Sequence, residues 1–185
     1  MSDEQQAKQP RDETELSEAF SELYEEYVDR IYSYIYHRVG NVRDTEDLTS
    51  RTFFRAYAHF SDYEDRGLPI SAWLYRIAHN LVANHHRDRS RRPVVALDNL
   101  VLQSRGDENP EAVTVRSDLG DELREAVGTL DRVRQELLVL KHEQGLTNAE
   151  IGAVLGRSEG AIKSLYHRTL VALRKELSKR GIDIE

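Results

Sequence analysis

Residues 147–177 read TNAEIGAVLGRSEGAIKSLYHRTLVALRKEL, and their spacing predicts two helices joined by a tight turn. Thr147 followed by Glu150 is the pattern of a capping box, in which hydroxyl and carboxylate each satisfy a backbone N–H left unpaired by the first helical turn. The first helix is predicted from about Asn148 to Leu155. Gly156 supplies the left-handed residue that ends it, and Ser158 the cap of the next. In the second helix Ile162, Tyr166, Thr169, Leu173 and Leu177 recur on one face, which leaves Lys163, Ser164, His167 and Arg168 on the other. Ile151, Gly152, Leu155, Gly156, Ile162 and Leu165 fill the branched, small, apolar and turn positions of a helix-turn-helix, with Gly152 expected at the helix crossing. From Arg157 to Arg180 seven Lys and Arg stand against two Glu, which suits a surface facing phosphate.

That basic stretch belongs to an acidic chain of 185 residues with a net charge of -7. Residues 1–50 carry thirteen acidic and five basic side chains. The acidic end repels phosphate, so affinity for DNA has to be shared with a partner. With no cysteine, a disulfide framework and a thiolate metal site are excluded, and the reducing cytoplasm is the expected compartment. No apolar run approaches the roughly 20 residues of a membrane span, so a soluble protein is expected. High charge (32%) and low aromatic content (8%) fit small helical modules with modest cores.

Upstream, residues 1–15 are polar and acidic without periodicity and read as a disordered tail. Residues 16–92 form a first module. Phe20, Leu23, Tyr24, Tyr27, Ile31, Tyr34 or Ile35, and Val39 recur at helical spacing, closed by Gly40 and Asn41, and the tyrosines are expected to pack in a core. Asp44 is expected to cap a second helix, with Glu46 and Asp47 complementing its dipole and Leu48, Thr52, Phe53, Ala56, Tyr57 and Phe60 buried. After a loop at residues 61–70, Ser71 is expected to cap a third helix with Trp73, Leu74, Ile77, Ala78, Leu81 and Val82 inward. Its other face presents Arg76, His79, Asn80, Asn84, His86 and Arg87, and continues into Arg89, Arg91 and Arg92. Amides, arginines and imidazoles beside Tyr63 of the loop are the groups a single-stranded nucleic acid needs.

Residues 93–117 lose periodicity and read as a flexible linker. Its reach is roughly 80 Å at about 3.3 Å per residue, enough to set two modules about two turns of duplex apart. The second module, residues 118–180, places Leu119, Leu123, Ala126, Val127 and Leu130 on one helical face. Asp131 caps the next helix, with Val133, Leu137, Leu138 and Leu140 inward and Gly145 at its end, and the helix-turn-helix follows. The fold class is therefore all-α: two small helical domains on a flexible linker.

Catalysis is not expected. A metal-dependent hydrolase built on His79, His85, His86 and Asp88 would need ligands three or four residues apart, and His79 lies too far from His85 to share a turn. No metal or other cofactor is assigned, and no phosphate-binding GxxxxGK[ST] loop occurs.

The order Asp44-Thr45-Glu46-Asp47-Leu48, Thr52-Phe53-Phe54-Arg55-Ala56, Trp73-Leu74-Tyr75-Arg76-Ile77-Ala78-His79-Asn80, and Ala149-Glu150-Ile151-Gly152 with Leu155-Gly156, Ile162-Lys163-Ser164 and His167-Arg168 resembles an extracytoplasmic-function (ECF) sigma factor. The resemblance covers about residues 17–180. It implies that the first module, region 2, binds the clamp helices of core RNA polymerase and captures the melted -10 strand. The second, region 4, would read the -35 duplex of promoter DNA and touch the polymerase flap. Asp44, Glu46, Asp47, Leu48, Arg51 and Phe54 are implied on or beside the polymerase-facing helix. Tyr63, Arg76, Asn80, Asn84, Arg87 and Arg91 are implied at the -10 strand, and Arg157, Ser158, Glu159, Lys163, Ser164, His167 and Arg168 at the -35 element. An inhibitory anti-sigma factor is the implied control, and a sigma-like decoy that sequesters such a factor without touching DNA is the alternative. The chain departs from the family at Ser50-Arg51, where Gln-Glu is common, at His79, often arginine, and at Asn84, often aspartate.

Overall fold

The computed structural model describes residues 13–64, 67–90 and 120–182. Every regular element among them is a helix. Helix α1 (Glu13–Val39) opens inside the segment expected as a tail and buries Leu23, Tyr27, Ile31, Tyr34 and Ile35. Gly40, with φ of 74°, turns the chain. Helix α2 (Val42–Ala58) follows at once, its N-cap being Asn41, whose side chain accepts from the Asp44 N–H. Asp44 therefore lies in the first turn and not at the cap. Helix α3 (Ile70–Ser90) likewise begins one residue before Ser71, the expected cap. These three helices pack pairwise around Leu48, Phe53, Ala56, Phe60, Leu74, Ala78, Leu81 and Val82.

The second module starts with α4, residues 120–128, and α5 (Arg132–Leu138), capped by Asp131 as expected. At Val139–Glu143 the coil widens into a π-helical turn, closed by Gln144 N–H to the Val139 carbonyl at 3.1 Å. Gly145, with φ of 71°, ends it. Helices α6 (Asn148–Leu155) and α7 (Glu159–Lys179) are the expected helix-turn-helix. The capping box is complete, with the Thr147 N–H on Glu150 Oε2 at 2.5 Å and the Glu150 N–H on Thr147 Oγ1 at 3.3 Å.

In the second module two expectations of burial fail. Leu123 and Val133 are exposed, whereas Ala126 of α4, Leu130 in the turn after it and Leu137 of α5 are buried as expected, joined by the unexpected Glu136. More consequential is the junction between modules. Helix α6 packs on α3 as well as on α7, and Leu74, Ala78, Leu81 and Val82 share one continuous core with Leu137, Leu140, Leu146, Ile151 and Val154.

Candidate nucleic-acid and protein interfaces

The turn between α6 and α7 is fixed by short-range geometry. Gly156 sits at φ of 66°, where residues with a Cβ are strained. The Arg157 N–H donates to the Gly152 carbonyl at 2.8 Å, and a Cβ on Gly152 would lie 2.6 Å from the Arg157 carbonyl oxygen. Gly152 is thus required by the turn that follows it, a closer constraint than the helix crossing expected from sequence. Ser158 caps α7 through the Ala161 N–H at 3.2 Å, while Ile162, Leu165, Thr169 and Leu177 anchor it inward.

The opposite face of α7 carries the predicted duplex-reading residues. Arg157, Ser158, Glu159, Lys163, Ser164, His167 and Arg168 are all exposed. Lys163 Nζ pairs with Glu159 Oε1 at 2.8 Å, and Arg168 Nε donates to the Ser164 carbonyl at 3.3 Å. Such exposed contacts within one helical turn contribute a few tenths of a kcal/mol, so both cations can turn to phosphate at little cost. Arg180, part of the basic stretch, is instead tied to α4 through Glu122 and Glu125.

On α3 the residues Arg76, Asn80, Asn84 and Arg87 are exposed and recur at helical spacing, forming one polar stripe. Arg87 Nη2 donates to Asn84 Oδ1 at 2.9 Å. Tyr63 is part of the loop's own architecture: its hydroxyl donates to the Leu68 carbonyl at 2.9 Å, and its ring lies 5.1 Å from that of Trp73. Arg91 lies outside the described residues. His79 and His86 depart from the stripe on which they were expected. His79 turns inward to Glu136, and His86 is half-buried. His85 Nε2 approaches Asp44 Oδ2 at 3.5 Å.

On α2 the exposed residues Glu46, Asp47, Arg51 and Phe54 form an outer face. Arg51 Nη1 reaches Asp47 Oδ2 at 3.3 Å, so the departure from the family compensates an acid on its own helix. Leu48 is buried and supports the helix from behind. Asp44 is turned to the basic end of α3, with Arg89 Nη1 at 3.3 Å. Beside this face runs a shallow groove of about 520 Å³ between α1 and α2, lined by Phe20, Tyr24, Val28, Tyr32, Glu46, Phe53, Phe54 and Tyr57 among others. Phe54 is 75% exposed, Tyr57 52% and Tyr24 44%. Both tyrosines were expected inside. They lie at the margin of the apolar arc, where helical spacing alone does not separate core from rim. Exposed aromatics of this size along one groove are the feature of a protein-docking surface.

A three-helix module with a polar stripe and an aromatic groove, followed by a helix-turn-helix with a basic outer face, is the architecture on which two sigma-70 family models fall. Residues 23–92 match the family model of sigma-70 region 2 and residues 120–173 that of sigma-70 region 4. The chain is 32% identical over 170 residues to the ECF RNA polymerase sigma factor SigW of Bacillus subtilis, covering 86% of this chain and 89% of SigW. It is 38% identical over 161 residues to the ECF RNA polymerase sigma factor BldN of Streptomyces coelicolor, covering 87% of this chain and 61% of BldN. Among solved structures, the sigma factor RpoE in complex with the anti-sigma factor NepR, from Bartonella quintana, matches with a TM-score of 0.64 at 20% identity, over 87% of this chain and 98% of that one. CnrH in complex with the cytosolic domain of CnrY matches with a TM-score of 0.62 at 23% identity, over 88% and 90%. The chain belongs to the ECF sigma factor family.

Proposed function

We propose that this chain binds core RNA polymerase and directs initiation at promoters whose -10 and -35 elements its two modules read. The observation that carries the proposal is the joint exposure of two reading surfaces in one family-matched chain. The α3 stripe offers amides and guanidinium groups to an unpaired strand. The outer face of α7, entered at its N-terminal end by Arg157 and Ser158, suits the major groove of a duplex. The aromatic groove with Phe54, Glu46, Asp47 and Arg51 is the proposed polymerase contact, and further contact of the second module with the polymerase flap follows from the family reading. Polymerase supplies nonspecific affinity that an acidic chain lacks, and the factor discriminates, each wrong base pair costing about 1–3 kcal/mol.

The factor is proposed to act in the cytoplasm, without catalysis or cofactor of its own. No helix among the described residues is long and apolar enough to cross a membrane. Control by an anti-sigma factor is supported by the related sigma factor RpoE having been solved with one. The decoy alternative is not favoured, since a decoy has no use for cations held exposed on α7. Run-off transcription with core bacterial RNA polymerase on a random promoter library tests the proposal. New start sites sharing two spaced motifs only when the protein is present are expected; polymerase binding without new starts would return the decoy reading, and neither binding nor starts would overturn the proposal.

A further inference from the structure

One polar cluster is used by neither reading surface. At the module junction Tyr34 and Arg38 of α1 and His79 of α3 converge on Oε1 of Glu136, which comes from α5 of the other module. Arg38 Nη1 lies 2.5 Å and His79 Nδ1 2.7 Å from that oxygen, and the Tyr34 hydroxyl donates to it as well. A carboxylate only accepts, so Nδ1 of His79 carries the proton, and the 3.2 Å approach of Arg38 Nη1 to the same nitrogen is two donors crowding one acceptor. Burial pushes the Tyr34 phenol well above its ordinary range, which keeps it a donor. Glu136 is 3% exposed and Arg38 13%. Three donors held by two helices of one module thus enclose a single anionic oxygen supplied by the other.

This is the chemistry that binds a phosphate oxygen: a guanidinium, an imidazole N–H and a hydroxyl around one acceptor. His79 directly precedes Asn80 on α3, and Arg76 is one turn back, so the cluster borders the proposed strand-reading stripe. The closed arrangement, however, does not serve two promoter elements at once. Successive packing of α3 on α6 and α6 on α7 holds the two reading helices within roughly 20 Å, given axis spacings of about 8–10 Å. Two turns of duplex measure roughly 70 Å.

We infer that Tyr34, Arg38 and His79 form an anion-binding site for a backbone phosphate of the bound strand, and that Glu136 fills it intramolecularly, so that module closure and strand binding exclude one another. The inference rests on the proposed promoter reading for its ligand, but the closure does not. Releasing Glu136 frees the donors for phosphate and weakens a junction that His37 on Glu143, Tyr75 and Arg30 on Gln144 and a shared apolar core also hold. A buried ion pair is suited to this use. It contributes little net stability over an apolar contact, yet it cannot tolerate the loss of one partner.

The absence of cysteine allows spin labels to be placed cleanly at Ala58→Cys and Ser178→Cys, both exposed, in the full chain. The interlabel distance is expected to be short and narrow in the parent and to lengthen and broaden in Glu136→Ala. Glu136→Gln, which keeps the shape and loses the charge, carries the measurement should the alanine variant lose its helical circular dichroism. An unchanged distance in a folded variant overturns the latch. Binding of a fluorescein-labelled oligothymidylate of about 20 nucleotides then tests the anion site. Affinity is expected to rise about tenfold in the Glu136 variant, and adding Arg38→Ala to it should abolish that gain. Arg43→Ala, which removes an exposed cation elsewhere on the same module, should cost less than twofold. Equal losses for Arg38 and Arg43 overturn the anion site. Failure of run-off transcription with the latch distances behaving as expected would instead fall on the promoter reading.

Discussion

The turn between α6 and α7 and the junction between the modules are built by opposite means. At the turn every decisive contact joins residues no more than five apart in sequence: Thr147 with Glu150, Gly152 with Arg157, Ser158 with Ala161. At the junction the partners are far apart: Arg38 meets Glu136, Tyr75 donates to Gln144 Oε1 at 2.5 Å, and Arg30 donates to the Gln144 carbonyl at 2.7 Å. The first kind of structure has one way to form and nowhere to go when disturbed. The second depends on the approach of two modules across a shared apolar core, and its opening is what the proposed latch requires.

Gly152→Ala strikes the local kind where no escape exists. The new Cβ meets a backbone carbonyl, not a flexible side-chain end, and a loss of about 2–3 kcal/mol in the stability of the second module is expected from urea unfolding. A loss under about 0.5 kcal/mol would show that the turn relaxes as freely as the junction, and the contrast would fail. Glu136→Ala, by comparison, has its cost capped by the free energy of opening, since an opened junction returns Arg38 and His79 to water.

The same contrast explains what sequence could show. The capping box, the left-handed Gly156, the Ser158 cap and the basic outer face of α7 follow from spacing within one or two turns, and all stand in the structure. The three helices of the first module were legible for the same reason, with errors at caps such as Asn41, at rim aromatics such as Tyr24 and Tyr57, and at His79 and His86 on the outer side of α3. Glu136 gave no signal. In the sequence RVRQELL it reads as an ordinary exposed acid, and only the approach of α1 and α3 makes it a buried partner. His79 misled in the complementary way, lying on a polar arc that another module covers. The exposed Asp47, Arg51 and Phe54 were reached through resemblance, while the groove beside them depends on how α1 lies on α2.

That groove sharpens the comparison on the long-range side. Phe54→Ala removes the most exposed aromatic of the face and should weaken binding to core polymerase by roughly 30-fold, about 2 kcal/mol, as for a central aromatic anchor. Its thermal stability should not fall, because the ring contributes little to the core. Arg51→Glu should shift polymerase affinity by several-fold in either direction through the lost pairing with Asp47, and no change in fluorescence-monitored binding would place Arg51 outside the contact. Smaller effects are expected where local pairs can be redirected. Lys163→Ala and Arg168→Ala should each weaken binding of a -35 duplex by the polymerase complex about fivefold, roughly 1 kcal/mol, and reduce the salt slope by about one. Unchanged binding would remove these residues from the reading face.

The smallest effect concerns protons, and it distinguishes the junction from every local element. Burial, reinforced by Arg132 of α5, by Arg38 of α1 and by neighbouring His85, lowers the His86 pKa to about 4. An opened junction withdraws Arg132 and exposes the ring, returning it toward about 6.5. The open form then binds more protons between about pH 4 and 6.5, so closure weakens as pH falls through that window. Glu136 acts in the same direction lower down. Although its burial raises the pKa, hydrogen bonds from His79 and Tyr34 and the charge of Arg38 hold the carboxyl below its ordinary value, and closure loses this contribution as pH drops below about 4.5. One proton limits the change to tenfold per pH unit, and a half-exposed imidazole should give about two- to threefold. The interlabel distance between positions 58 and 178 should therefore lengthen from pH 7 to 5, and the change should be smaller in His86→Asn, which removes this imidazole and leaves His37 on Glu143 and His79 on Glu136 across the same junction. A parent protein that remains closed throughout would mean that the junction is as rigid as the helix-turn-helix, and the division between local and separable structure would not hold.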